Sequence, residues 1–268
     1  MTLLAWLSSL VRWSRRVLSG AARSPKKKLN FTAVSISSAS ADEDGNVRLC
    51  NGSATLIFKP NSGQSQFFVG RLVFTEALRL EHEKQMRETA REQLLKYQSP
   101  ELRNMILPVL KEWLSGRGKL DVLELGPAYT TAIPEGLIDK LGSYHAIDFS
   151  LPYLQRQQEI LQENAALAPR CQRTVVDIYD LEKPEASFDL VFTSCHPPLV
   201  SSSIEDKCAV LDKVHALLRP GGTFALFPWY FSEQPQAVNR HLLKLFHVKR
   251  IAYQHDWRVR LFIILEKR

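Results

Sequence analysis

Apolar runs and turn residues alternate through the second half of the chain in a repeating order. Val122, Leu123 and Leu125 in VLELGPAYT predict a buried strand, and Gly126 begins the turn that follows. Helix-like residues 131 to 141 lead into a second strand, YHAI, which ends at Asp148. The segment FSLPYLQRQQEILQENA then starts with Ser150 as a cap and Pro152 near the first turn, and it spaces Leu154, Ile160 and Leu161 as a helix does. VVDIYD closes another short strand at Asp177, and ASFDLVF reads as a fourth strand, its start ordered by Asp189. In LDKVHALLRPGGTFALF the helical positions are Val210, Leu211, Val214, Leu217 and Leu218; Pro220-Gly221-Gly222 breaks the helix and FALF forms a fifth strand. FHVKRIAYQ and WRVRLFIILEK predict a final strand pair. This alternation predicts a doubly wound α/β domain over residues 105–268.

The first part of the chain has a different pattern. Turn-forming SISSASADEDGN and KPNSGQS surround the strand-like VRLCNGSATLIF, and with FFVGRLVF they suggest a small β element. TEALRLEHEKQMRETAREQLLKYQ reads as a charged helix, and Ser99-Pro100-Glu101 opens another that runs to Leu114. The segment 29–104 is thus expected to be a β element with a helical lid. Residues 1–28 form a third segment, in which Leu3, Leu7, Leu10, Val17, Leu18, Trp6 and Trp13 make an apolar face followed by basic residues.

Charge sharpens this division. The chain has 35 Lys and Arg against 28 Asp and Glu, and seven of the basic residues with no acid lie in residues 1–28. Removing them leaves 28 against 28, so the basic excess belongs to that segment alone. An acid-free, Arg- and Ser-rich amphipathic stretch fits an organelle-targeting presequence or an interfacial helix on anionic lipid. The balanced remainder disfavours a core that grips nucleic acid. No run is long enough to span a bilayer. Cys50, Cys171, Cys195 and Cys208 lack metal-ligand spacing and suggest reduced thiols, so no metal site is expected. An intracellular protein follows, organelle-targeted or peripheral to a membrane, and otherwise cytoplasmic.

Several residues at the strand ends carry candidate chemistry. Gly126 lets the backbone pass close to a ligand, and Glu124 can order the loop or accept from a ligand ammonium. Asp148 follows Glu124 by about two dozen residues, a spacing that suits a ribose diol, although capping of the next helix is the alternative. Asp177 has a nearby rival in Asp180. His196, in TSCHPPLV, could be a general base or a solvated loop histidine. Trp229 and Tyr230 follow the fifth strand, where they could sandwich a planar substrate or pack in the core.

The four segments VLELGPAYT, YHAIDFS, VVDIYDLEKPEASFDLVF and LLRPGGTFALF, in this order, resemble the class I S-adenosylmethionine-dependent methyltransferases, especially the branch acting on diverse small acceptors. The resemblance implies a Rossmann-like, mostly parallel sheet with an antiparallel C-terminal edge strand, and S-adenosyl-L-methionine as cofactor. It assigns cofactor binding to Glu124, Gly126, Ala128, Asp148, Phe149, Asp177 and Ile178, with Asp177 receiving the adenine amino group. The family pattern acidic-x-Gly-x-Gly-x-Gly keeps only its first glycine here; Ala128 and Thr130 replace the others. Family members that methylate exocyclic amines carry Asn/Asp/Ser-Pro-Pro-aromatic where this chain has His196-Pro197-Pro198-Leu199, which argues against a base-amine acceptor. Methyl transfer to a small apolar or planar acceptor is the leading expectation, with His196 as acceptor-side base and Trp229 and Tyr230 as substrate walls. An RNA, tRNA or protein methyltransferase using the basic segment, and a non-catalytic methyltransferase-like interaction module, are the alternatives.

Overall fold

Val122, Leu123 and Leu125 are all fully buried, so the strand Leu120–Leu125 is covered on both faces, as continuous apolar strands of parallel sheets are. In the computed structural model, which describes residues 31–52, 54–60, 101–128, 130–194, 196, 198–199, 203–254 and 260–268, it lies near the middle of the larger sheet. The described strands are β1 (Thr32–Ser35), β2 (Ser38–Ala41), β3 (Val47–Cys50), β4 (Thr55–Phe58), β5 (Leu120–Leu125), β6 (Leu141–Asp148), β7 (Cys171–Val175), β8 (Phe188–Ser194), β9 (Leu218–Trp229), β10 (Phe246–Tyr253) and β11 (Leu261–Lys267). The helices are α1 (Leu107–Trp113, entered through a π turn at Leu102–Ile106), α2 (Ala132–Gly136), α3 (Leu151–Gln162), α4 (Ile204–Leu217) and α5 (Gln236–Leu245).

The larger sheet runs β1-β10-β11-β9-β8-β5-β6-β7. Pairings are parallel from β9 through β8, β5 and β6 to β7. The chain goes from β5 outward to β6 and β7, then returns to place β8 on the other side of β5. That reversal opens a crevice at the carboxyl ends of β5 and β8, where open α/β sheets bind ligands. The fold expectation is met: β11 is antiparallel to both β9 and β10. It lies inside the antiparallel end of the sheet, because β10 and then β1 add outside it. The N-terminal region therefore contributes β1 to the main sheet, while β2, β3 and β4 form a separate antiparallel sheet. That small sheet docks on α5, where Arg240 donates to the carbonyls of Asp42 and Glu43.

Two element boundaries differ from the sequence pattern. The helix expected over 131–141 is only α2, because Gly136, a poor helix former, ends it. Helix α4 stops at Leu217 and β9 already begins at Leu218, so Pro220-Gly221-Gly222 lies within the extended lead-in and Gly221 has φ 68°. Pro220 disfavours helical torsions at Arg219, which accounts for the earlier stop. Asp189 has the ordering role expected of it, accepting from the Asp121 amide at 2.8 Å and from Arg219 at 2.6 Å. The two faces of the sheet carry separate apolar layers. One packs α4, α5 and the small sheet around Trp229, Phe246 and Ile263; the other packs α1, α2 and α3 around Tyr144, Phe192 and Phe262. Residues 1–28, FFVGRLVF and the charged helix TEALRLEHEKQMRETAREQLLKYQ lie outside the described residues.

Candidate active site at the carboxyl ends of the strands

The turn after β5 is built on unusual backbone torsions. Gly126 has φ 63° and donates its amide to the Ile147 carbonyl at 2.8 Å, which binds the turn to β6. Ala128 also has a positive φ, 53°, in the left-handed region that a Cβ disfavours by about 1–2 kcal/mol. The turn thus holds at Ala128 a conformation natural to glycine. Its amide donates to Asp148 Oδ2 at 3.1 Å, and the Ser150 amide donates to Asp148 Oδ1 at 2.9 Å.

Asp148 therefore ties the turn after β5 to the turn after β6. Ser150 occupies the N-cap position of α3 as the sequence pattern expects, but its buried hydroxyl makes no capping bond and has no partner among the described residues. Burial raises the Asp148 carboxyl from 3.8 to about 6, against the opposing pull of the Ser150 and Ala128 amides. Phe149, between these groups, is half-buried. The Val176 amide donates to the Asp148 carbonyl at 3.1 Å, which brings Asp177 and Ile178 alongside. Asp177 accepts from the Tyr179 amide at 3.2 Å, Ile178 is buried and the rival Asp180 is exposed.

Glu124 requires a correction. Its carboxyl is not turned to a ligand but is buried under the turn, where Oε2 accepts from the Tyr144 hydroxyl at 2.6 Å. Desolvation, with the nearby Asp148 charge adding to it, pushes its pKa from 4.5 up to about 8. Burial thus favours its neutral, hydrogen-bonded form. Tyr144 and the wholly buried Gln157 complete this network, and the sequence reading missed both. Gln157 Nε2 donates to the Tyr144 hydroxyl at 3.0 Å and to the Thr130 carbonyl at 2.6 Å. A glutamine facing inward on an otherwise amphipathic helix was the available signal.

His196 stands across the crevice. A Cβ placed on Gly126 would lie 3.3 Å from His196 Nδ1, so the glycine leaves room for the ring. Both ring nitrogens are buried and have no hydrogen-bond partner among the described residues. Desolvation lowers the ring from 6.5 to about 4, which favours its neutral form. It keeps one donor and one acceptor for hydrogen bonding. Beyond it, the Leu199 amide donates to the His196 carbonyl at 3.1 Å. The Leu199 carbonyl accepts from Gln234, whose Oε1 accepts from buried Lys207 at 2.7 Å. Burial brings that lysine down from 10.5 to about 8.

The two proposed substrate walls differ. Trp229 is wholly buried in the core, its ring edge-on to Phe231 at 6.2 Å, and does not face the crevice as expected. The strand is already covered by α4 and α5 at that point. Tyr230, the next residue, is half-buried. A cavity of about 290 Å³ lies elsewhere, lined by Asp121, Ser143, His145, Gln172, Lys183 and Phe188 at the amino ends of the strands, the opposite end from these residues. Among the described residues, no three His, Cys, Asp or Glu side chains gather as metal ligands.

Comparison with known proteins agrees with this geometry. Residues 122–222 match the model of a family described as a methyltransferase domain. The N-methyltransferase NodS of Bradyrhizobium japonicum, solved with S-adenosyl-L-homocysteine, superposes with a TM-score of 0.55 at 14% identity, covering 70% of this chain and 98% of NodS. A possible exported protein of Bordetella parapertussis superposes with a TM-score of 0.51 at 11% identity, covering 70% of this chain and 78% of that one. No curated protein matches the sequence.

Proposed function

We infer that this chain, an enzyme carrying a class I S-adenosylmethionine-dependent methyltransferase domain, methylates a small acceptor that is apolar or planar. The observation that carries the cofactor side is the paired turn at the carboxyl ends of β5 and β6. There Gly126 and Ala128 keep positive φ, and the Ala128 amide is held by Asp148. A close-approaching backbone beside a carboxylate suits a nucleoside with an amino-acid tail. Gly126 and Ala128 would pass along the tail, Asp148 and Phe149 would meet the ribose and adenine, and Asp177 and the Ile178 amide would reach the adenine edge. Asp148 accepts from the Ser150, Ala128 and Phe149 amides and keeps a lone-pair direction for a ligand hydroxyl.

Bound S-adenosylmethionine supplies an electrophilic methyl on a sulfonium. The chain's own part is alignment and exclusion of water, because a direct displacement depends mainly on orientation. Neutral His196 would hydrogen-bond the acceptor's nucleophilic group and orient it, while half-buried Tyr230 would bound the acceptor's other face. As the nucleophilic group takes the methyl, the carbon–sulfur bond breaks to leave S-adenosylhomocysteine as a neutral thioether, and the methylated group then loses its proton to solvent. The charge balance outside residues 1–28 supports a small neutral acceptor over a polyanion. The seven basic residues of 1–28 would make contact with an anionic membrane surface, which supports a location at a membrane or on an import route.

Incubating the purified chain with methyl-labelled S-adenosylmethionine and cell extracts tests the reading. Label should appear in a small-molecule fraction and disappear with Asp148→Ala. Label confined to RNA, and lost when residues 1–28 are deleted, would instead support the second reading that those basic residues motivate.

A further inference from the structure

We propose that Gln157 is a positioning residue for the cofactor turn, joining Tyr144 and Glu124 in a buried polar strut that holds a turn in which the family's second and third glycines are replaced. The inference rests on the cofactor reading above. In the family pattern the turn closes on glycine, where a helix packs tightly against the strand; here Thr130 stands at that position. A β-branched residue there prevents the same close packing. The turn is held instead from outside, through the Thr130 carbonyl.

The geometry forms one continuous chain. Thr130 accepts from Gln157 Nε2 at 2.6 Å, the same amide donates to the Tyr144 hydroxyl at 3.0 Å, and that hydroxyl donates to Glu124 Oε2 at 2.6 Å. The strut therefore starts at the end of β5, crosses β6 to α3, and returns to the turn that β5 itself feeds. Gln157, Tyr144 and Glu124 are all buried, at 0%, 0% and 2% exposure, so water cannot replace a missing member. The amide orientation is set by its neighbours: rotated half a turn, Gln157 would point oxygen at the Thr130 carbonyl oxygen. A second tie acts on the other end of the turn, where Asp148 holds the Ala128 amide. The turn is thus fixed on both sides of its apex by side chains from β6 and α3. Such fixing lowers the ordering cost of binding, so it favours cofactor affinity more than global stability.

Gln157→Leu tests this by removing both donors at similar volume. Calorimetric titration with S-adenosylhomocysteine at 15 °C should show a Kd raised by about tenfold or more, since the half-buried Thr130 carbonyl at the turn loses its donor and the buried Tyr144 hydroxyl loses a partner. A core variant on the far layer, Leu265→Ala, should lose at least as much thermal stability yet keep the wild-type Kd. Tyr144→Phe, which preserves the ring and cuts the strut at its middle, should raise Kd in the same direction and serves if Gln157→Leu does not fold. Wild-type binding with Gln157→Leu and Tyr144→Phe both unchanged would overturn the strut alone. A Kd that rises equally in Leu265→Ala would overturn it as well, by reducing the effect to stability. Absence of binding by the wild type would overturn the cofactor reading and the strut together.

Discussion

Replacing Glu124 with Gln should stabilise the protein, by an amount that grows with pH. The carboxyl is buried against Tyr144 and Asp148, and its pKa stands at about 8 against 4.5 for the free group. A carboxyl with a raised folded-state pKa supports the fold fully below 4.5 and loses that support as pH climbs towards 8. In this window the unfolded chain has released the proton and the native one still holds it. The loss is about 1.4 kcal/mol per pH unit, so between pH 4.5 and pH 7 it reaches about 3 kcal/mol. Gln has the shape of the protonated acid and still accepts from the Tyr144 hydroxyl, but it has no proton to lose. Glu124→Gln should therefore match the wild type near pH 4.5 and exceed it by about 3 kcal/mol at pH 7, or roughly 6–12 °C in Tm. Urea denaturation of both proteins at several pH values gives the difference directly, and common titrations cancel. A variant less stable than the wild type at pH 7, or a difference that does not change with pH, would refute the buried neutral carboxyl. The second result would also fit an ionised Glu124 facing a ligand.

Three further outcomes follow from the same geometry. Ala128→Gly should leave the fold intact and raise stability by up to about 1 kcal/mol in urea melts, as relief of the positive φ outweighs the added freedom of the unfolded chain. Asp148→Ala strands the Ala128 and Ser150 amides, so it should cost about 1–3 kcal/mol by chemical denaturation and weaken S-adenosylhomocysteine binding by more than about tenfold. His196 has its pKa lowered from 6.5 to about 4, so its contribution is full above pH 6.5 and is lost as pH falls towards 4. His196→Gln should remove up to about 3 kcal/mol of the stability lost across that window, measured by urea melts at pH 7 and pH 4.5.

The fold was legible because its signals are local and repeated. Strand β5 with Gly126, strand β6 with Asp148, and the run from Val210 into β9 each announce themselves through spacing that one pass along the chain detects. Element ends were less legible. Gly136 shortens α2, and the reach of Pro220 back to Arg219 stops α4 early, because backbone preferences there outweigh apolar periodicity. The site divided by the same logic. Asp148, Asp177 and Ile178 lie next to one another because adjacent parallel strands must bring their carboxyl ends together. Glu124 was open to ordering the loop or meeting a ligand, because sequence position does not reveal which side of a strand end is closed. Only Tyr144 from β6 and Gln157 from α3 show that the closed side is polar. Trp229 was misread for a related reason: a residue at a strand's end points into whatever covers that face, and here α4 and α5 cover it. Gln157 showed in sequence only as a polar residue on the inward face of α3, because its partner Thr130 lies 27 positions away.

Calorimetric titration of the full chain with S-adenosylhomocysteine tests the central claim most directly. One site per chain, with affinity lost in Asp148→Ala but retained in Leu265→Ala, is the result expected of a cofactor crevice built on the turns after β5 and β6. No heat of binding at millimolar ligand, from protein shown to be folded, would contradict it.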